Sequence, residues 1–460
     1  MSSAQRKHLL MISDQDMLRA GNQVLYQTVR GYVTAGFDVT FVTNQKDDPN
    51  VASAEELFGP DARYVDICRF PITFHTWRQR LIGKGWIRRF QKLLGVLKGH
   101  AEKEELFPPA LEAVVPFASG FGDTPEILSR LGTDLFERYA YRACMKIAQA
   151  RPIHIVYGFE TMAMPTAQRI AARLGVPLCG RFQGSFLKHA LDDGTAEKLY
   201  PLYVKGTAVK ADLCIMSNDG TKGEEVLLRL GHPPERILFL LDGVRKDIYR
   251  PEMDPAAVWA EYGIPAKEST RIILTLSKLS PWKRLDRVIG AMPAILREVP
   301  DAYLVITHRG TLRTQLEQYA NELGVANRVI FTGPIPHTQV YRLLNACDLH
   351  VHCSDHASLS NTVMEALVCG KPVVSINDGS LDGIVTHGYN GLLANLRGIR
   401  EELPAHVITL LEDDAQRSEM GRNARRFAEA NLLTWEERMA IETSRVEELL
   451  RAGLTPVPQS

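Results

Sequence analysis

The sequence predicts an α/β protein in which two doubly wound parallel-sheet domains face each other across a cleft. Three observations predict it. Short β-branched runs alternate with amphipathic stretches along most of the 460 residues, the pattern of βαβ units. The alternation occurs as two separate series. Between them lies a turn-rich segment, LLDGVRKDIYRPEMDP (240–255), punctuated by Pro251 and Pro255 as a hinge would be.

In the first series the predicted strands are HLLMIS (8–13), FDVTFVTN (37–44), IHIVYGF (153–159), PLCGRF (177–182) and ADLCIMSN (211–218). In the second they are RIILTLS (271–277), AYLVITH (302–308), RVIFTG (328–333), DLHVHCS (348–354) and KPVVSI (371–376). These are continuous apolar runs, as strands buried on both faces require. Between them, TLRTQLEQYANELG (311–324) and HTQVYRLLNACD (337–348) place apolar residues at helical spacing. The last helix, near Trp435–Arg451, has no strand after it and is expected to cross back to the first domain. The expected division is residues 1–245, residues 246–432, and a crossing helix within 433–460.

Composition bounds the function. Lys plus Arg and Asp plus Glu balance at 54 each, which argues against a surface built to grip nucleic acid. No run approaches the roughly 18–20 apolar residues of a membrane span, and LLMI near the N-terminus is too short for a signal sequence. Seven cysteines are scattered singly without a C-x-x-C pair, the usage of a reducing, cytoplasmic compartment and not of a disulfide or zinc framework.

Chemistry gathers in the second series. RIILTLSKLSPWKRLDRVIGAM (271–292) reads as a strand, a loop with Lys278 and Lys283, then a helix. Ligands of open α/β sheets bind beyond the carboxyl ends of strands. Two lysines there, beside a helix N-terminus, suit a diphosphate, although two solvated loop lysines are an equally open reading. No Walker-type G-x-x-x-x-G-K-[ST] is present. HCSDHASLSNTVMEALVCGKPVV (352–374) then places Ser358, Leu359, Ser360 and Asn361 ahead of a helix carrying Glu365. A carboxylate so placed can take both ribose hydroxyls; alone, it reads more readily as a favourable surface charge near the helix start.

These segments in order resemble the family-4 (GT4) glycosyltransferases, retaining enzymes of the GT-B fold that use nucleotide-sugar donors. The resemblance runs through DGVRKDIYRP (242–251), SKLSPWKR (277–284), VPDAYLVITHRG (299–310), RVIFTGPIP (328–336), CDLHVHCS (347–354), the 358–374 loop and helix, and HGYNGLL (387–393). It is looser in the first half, through LGVPLCGRFQGSF (174–186) and KADLCIMSNDGTKGEEVLLRLG (210–231). It implies an acceptor-binding first domain and a donor-binding second one. It further implies that Lys278 and Lys283 clamp the diphosphate and that Glu365 holds the ribose. Ser358, Leu359, Ser360 and Asn361 would contact sugar and phosphate, Ile335 the base, and Gly310 the phosphate-proximal turn.

Departures accompany it. The first Glu of the family's E-x7-E falls on Ala357, and Asp355 or His356 is the expected substitute. Gln183 stands where many relatives have histidine near the sugar, and Gly379–Ser380 replaces a glycine pair. Gly21 and Asn22 follow the first strand at the cleft side, where a plain strand-to-helix loop is the stronger reading. No cofactor or metal is expected to be required; a UDP- or GDP-sugar would be substrate, with a sugar, lipid-linked or small-molecule acceptor. Further readings are a nucleotide-sugar-binding or regulatory protein with lapsed catalysis, a GT-B epimerase or phosphorylase, and a two-lobed solute receptor.

One local asymmetry remains. Between Asp66 and Glu102 there is no acidic residue, and eight basic ones occupy the span: Arg69, Arg78, Arg80, Lys84, Arg88, Arg89, Lys92 and Lys98. With Trp77 and Trp86 interleaved, residues 77–98 are expected to rest on an anionic membrane surface. The protein would then be cytoplasmic and peripheral on the inner face; a helix packed on the first domain is the competing reading.

Overall fold

The computed structural model describes residues 6–15, 23–44, 54–70, 126–265, 267–355, 357 and 359–452. Two all-parallel sheets organise them. The first has the order β3-β2-β1-β4-β5-β6-β7, built from β1 (Lys7–Ser13), β2 (Phe37–Asn44), β3 (Val65–Phe70), β4 (Ile155–Phe159), β5 (Leu178–Phe182), β6 (Leu213–Ser217) and β7 (Ile237–Leu240). The second has the order β10-β9-β8-β11-β12-β13, built from β8 (Arg271–Thr275), β9 (Ala302–Thr307), β10 (Val329–Gly333), β11 (Leu349–His352), β12 (Val373–Ile376) and β13 (Gly391–Ala394). Both are doubly wound, with switch points between β1 and β4 and between β8 and β11. Parallel pairing in register, such as Leu9 with Val39 and Ile155, makes the central strands apolar on both faces.

Every strand read from the sequence is present. Three more were not read: β3, β7 and β13. All three are sheet edges. An edge strand has solvent on one side, so its pattern is mixed: Val65 is buried beside exposed Asp66, and all four residues of β7 are only half-buried. β13 is also short and follows the glycine-rich 377–390 segment.

The helices needed below are α1 (Gln23–Thr34), α2 (Met164–Leu174), α3 (Leu285–Glu298), α4 (His337–Ala346), α5 (Asn361–Val368) and α6 (Trp435–Arg451). α6 starts at a capping box, with Thr434 and Glu437 satisfying each other's backbone N–H groups. Its Trp435, Met439 and Val446 join the core of the first sheet with Leu25, Tyr32 and Tyr157. Gly243 lets the linker pass this helix: a Cβ there would lie 2.5 Å from the Trp435 Cα. The crossing is pinned by a buried polar knot. Glu442, on α6, accepts from the Tyr32 and Tyr157 hydroxyls at 2.9 and 2.8 Å and from Arg181 at 3.1 Å, and also pairs with Arg438. Arg181 reaches on to Asp242 in the linker at 2.9 Å.

Candidate functional site

The C-terminal ends of the central strands of both sheets open onto one cleft of about 310 Å³. In the second domain, the 276–283 loop leaves β8 and is stitched to the turn after β9. Leu279 N–H donates to the Arg309 carbonyl at 3.3 Å and Leu312 N–H to the Leu279 carbonyl at 3.2 Å. Gly310 is required here, because a Cβ would stand 2.1 Å from the Leu279 carbonyl oxygen. The seam sets Lys278 at the surface and Lys283 half-buried on the cleft wall. Burial, and secondarily the charge of Lys278, lower the Lys283 ammonium to about 8, while Asp219 of the first domain opposes the shift. Lys278 also lowers His308 after burial does, so the two lysines and His308 share one electrostatic neighbourhood.

The loop after β11 brings Ser354, Ala357 and Leu359 to the cleft. Ser360 is the N-cap of α5 in extended geometry, its hydroxyl 3.0 Å from that of Thr362 and not turned back on the helix. Asn361 opens the helix, half-buried. Glu365 is not the solvated charge of the competing reading. It is 9% exposed, one oxygen meeting His337 Nε2 of α4 at 3.1 Å. Ile335, half-buried, precedes α4 on the same side. Lys278, Lys283, Ser360, Asn361, Glu365 and the Gly310 turn therefore lie at the carboxyl ends of β8, β9 and β11.

Asp355 departs from its expected part. It does not line the cleft; its carboxylate is bound by Arg284 at 3.2 Å and Arg287 at 2.5 Å. Two guanidiniums occupy it, and it fastens the loop after β11 to the start of α3. Ser358, His356, Gly21, Asn22 and the 77–98 stretch lie outside the described residues. Ser380, in place of a glycine, is buried, and its carbonyl approaches Gly220 so closely that a Cβ on that residue would lie 2.4 Å away. The two domains touch there.

The first domain contributes what the sequence reading did not single out. Glu160 follows β4 in a left-handed conformation with φ +69°, accepting the Gln183 N–H at 2.9 Å. Burial raises its carboxyl to about 8, and Asp14 and Asp219 add to the rise. Asp219 follows β6; burial raises it to about 6 against hydrogen bonds from Thr221. Gly184 (φ +122°) leaves it room, since a Cβ would fall 1.9 Å from Asp219 Oδ2. Gln183 lines the same wall, as do Phe186, Tyr203 and, from the second domain, Trp282. The strand-end rule that located the lysines locates Glu160 and Asp219 equally well, since both follow central strands of the first sheet. Among the described residues, no three His, Cys, Asp or Glu side chains gather as a metal ion needs. No helix of the described residues is long and apolar enough to cross a membrane.

Known proteins bear on this geometry. Residues 262–427 match the family model of the glycosyl transferases group 1. This group 1 segment contains both lysines, Glu365 and the 359–361 loop. The chain is 28% identical over 223 residues to the D-inositol 3-phosphate glycosyltransferase of Thermobispora bispora, covering 46% of this chain and 51% of that protein. It is 30% identical over 204 residues to the GDP-mannose-dependent alpha-(1-6)-phosphatidylinositol monomannoside mannosyltransferase of Mycolicibacterium smegmatis, covering 43% and 52%. The matches thus span about half the length of these curated relatives. The fold is that of HepE from Anabaena, solved with UDP and glucose (TM-score 0.66, 17% identity, 97% of this chain and 100% of that one). It is equally that of sucrose-phosphate synthase from Thermosynechococcus elongatus (TM-score 0.69, 16% identity, 98% and 100%). The architecture is GT-B.

Proposed function

We propose that this chain is a retaining glycosyltransferase of the family-4 type, moving a sugar from a nucleotide-sugar donor to an acceptor in glycan, glycolipid or cell-envelope polysaccharide synthesis. The observation that carries the reading is the group 1 segment's own arrangement: two lysines, a helix start without a side-chain cap and a buried carboxylate at the carboxyl ends of one sheet, facing a second domain across a cleft. Departure of a nucleoside diphosphate develops negative charge on its outer phosphate. Lys278, Lys283 and the backbone N–H groups of Leu359, Ser360 and Asn361 are placed in advance to receive it, which lowers the barrier without reorganisation. Ser358 belongs to the same loop in this reading. Glu365 holds the ribose, and Ile335 covers the base. The Gly310 turn keeps the phosphate loop in place, and these cations suffice for the leaving charge without a metal. The first domain presents the acceptor and excludes water, which would otherwise take the sugar.

A UDP- or GDP-sugar fits the reading; the solved HepE complex contains UDP, and the Mycolicibacterium relative is named for GDP-mannose. The test is a thermal-shift screen against UDP, GDP, ADP and their sugars, followed by assay of nucleoside diphosphate release. A ligand at about 100 times its Kd adds roughly 2.7 kcal/mol. No response to any of them sinks the reading. A second reading, nucleotide-sugar binding with lapsed catalysis, is favoured by Ala357 at the cleft; nucleotide binding without release under any acceptor would select it. Residues 77–98 would attach the enzyme to anionic lipid, on the strength of their acid-free basic composition. Unchanged vesicle binding in Arg88→Glu/Lys92→Glu would remove that attachment.

A further inference from the structure

The walls of the cleft differ in sign. The second domain presents Lys283, and the first presents Glu160 and Asp219. Phe186, Tyr203 and Trp282 supply aromatic surface between them, Phe186 and Tyr203 meeting edge-on at 4.7 Å. If Lys283 is engaged by the donor's diphosphate, the remainder of the cleft has no cation among its described lining residues. We infer that Glu160 and Asp219 are the acceptor-selecting residues, and that they select a sugar or polyol carrying no anionic group where it enters the cleft. This rests on the transferase reading and goes on to name its acceptor class.

The chemistry is specific. Sugar hydroxyls donate to carboxylate oxygens, and ring C–H faces lie on aromatic rings, so carboxylates beside Phe186, Tyr203 and Trp282 make a polyol surface. Glu160, already raised by burial and by the neighbouring acids, holds its proton at neutral pH and so both donates and accepts, as a hydroxyl partner should. Asp219, raised less, is mostly ionised there. A phosphate monoester carries about −1.5 to −2 charges at neutral pH. Set beside Asp219 in a half-closed cleft, it meets like charge without a compensating cation, and that juxtaposition is costly. The Thermobispora relative is named for a phosphorylated inositol; this wall suits the opposite kind of acceptor.

The experiment measures acceptor binding to the full chain saturated with UDP, or with GDP or ADP if UDP does not bind. Matched probes are myo-inositol against myo-inositol 3-phosphate and methyl glucoside against glucose 6-phosphate. The uncharged member of each pair should bind about tenfold or more tighter. Asp219→Asn, kept saturated with the nucleotide, should shrink that gap to about threefold or less by admitting the phosphate, with melting temperature held. Glu160→Gln should weaken the uncharged probe instead. Equal or tighter binding of the phosphorylated probes, no acceptor binding of either kind, or an unchanged gap in both variants would overturn the inference while leaving nucleotide binding intact. Failure of UDP, GDP and ADP alike to bind would remove the transferase reading itself, and this inference with it.

Discussion

Glu442 is the place to test how the two ends of the chain are joined. Glu442→Gln keeps size and one acceptor oxygen but removes the charge. The parent carboxylate is fully buried and receives four donors: two tyrosine hydroxyls and two guanidiniums. Arg181 retains Asp242 after the change. Arg438, also fully buried, has no other carboxylate among the described residues. Stranding a buried charge costs about 3–5 kcal/mol. At 2–4 °C per kcal/mol for a domain of this size, melting of the first domain should fall by roughly 6–20 °C. The pH dependence has a definite sign. Burial pushes Glu442 up, but Arg438 and Arg181 outweigh it and hold the carboxyl below its usual range. Its contribution is therefore present above the unfolded value near 4.3 and lost as pH falls through the lower folded one. Scanning calorimetry at pH 7 and pH 3 should show a wide gap between parent and variant that narrows in acid. A drop under about 2 °C at pH 7, or a gap that fails to narrow, would refute the argument. Glu442→Leu with Arg438→Met should lose less than the two single changes summed, because the stranded charge is gone.

Three further expectations follow from the cleft. Lys283 must be charged to hold a diphosphate and titrates near 8 in the free protein, so UDP affinity by calorimetry should fall as pH rises above about 8, approaching tenfold per unit. Lys283→Arg should flatten that slope, and Lys283→Ala should weaken binding far more than it lowers melting temperature. Gly310→Ala should cost nucleotide affinity through displacement of the 276–283 loop, since the Leu279 carbonyl has no room for a methyl; unchanged binding would mean the loop moves freely. Glu160 holds its proton up to about 8 when folded but only to about 4.3 unfolded. The folded state binds the extra proton in between, so stability falls as pH rises through that window. Glu160→Gln should therefore gain on the parent between pH 5 and pH 8 in denaturant titrations, and a constant difference would contradict the assigned burial.

The central strands were legible in the sequence because burial on both faces leaves an unbroken apolar run, as in HLLMIS and AYLVIT. Edge strands hide for the converse reason: Asp66 within β3 is exposed, and Ile67 and Cys68 beside it are only half-buried. The donor side of the cleft was legible because its residues lie in three short segments with fixed local grammar. Asp355 was misread because neighbourhood in sequence says nothing of direction; its partners, Arg284 and Arg287, are on another loop and helix. Glu160 and Asp219 are separated by β5, β6 and four helices, and only the sheet order makes them neighbours of one wall.

The same sheet order gives the cleft its electrical logic. Asp219 acts on Lys283 from the opposite domain, and Gly220 meets Ser380 beside it. Where the domains meet, unlike charges therefore face each other beside a backbone contact that leaves no room for a side chain on Gly220. A diphosphate would draw Lys283 toward itself and leave Asp219 to the acceptor. A substitution that reverses the charge of either wall should therefore be felt at the other. Asp219→Asn removes the first domain's pull on Lys283, so the lysine should lose its proton at lower pH and the fall in nucleotide affinity should begin earlier. A fall beginning at the parent's pH would mean that the two walls are not electrically joined.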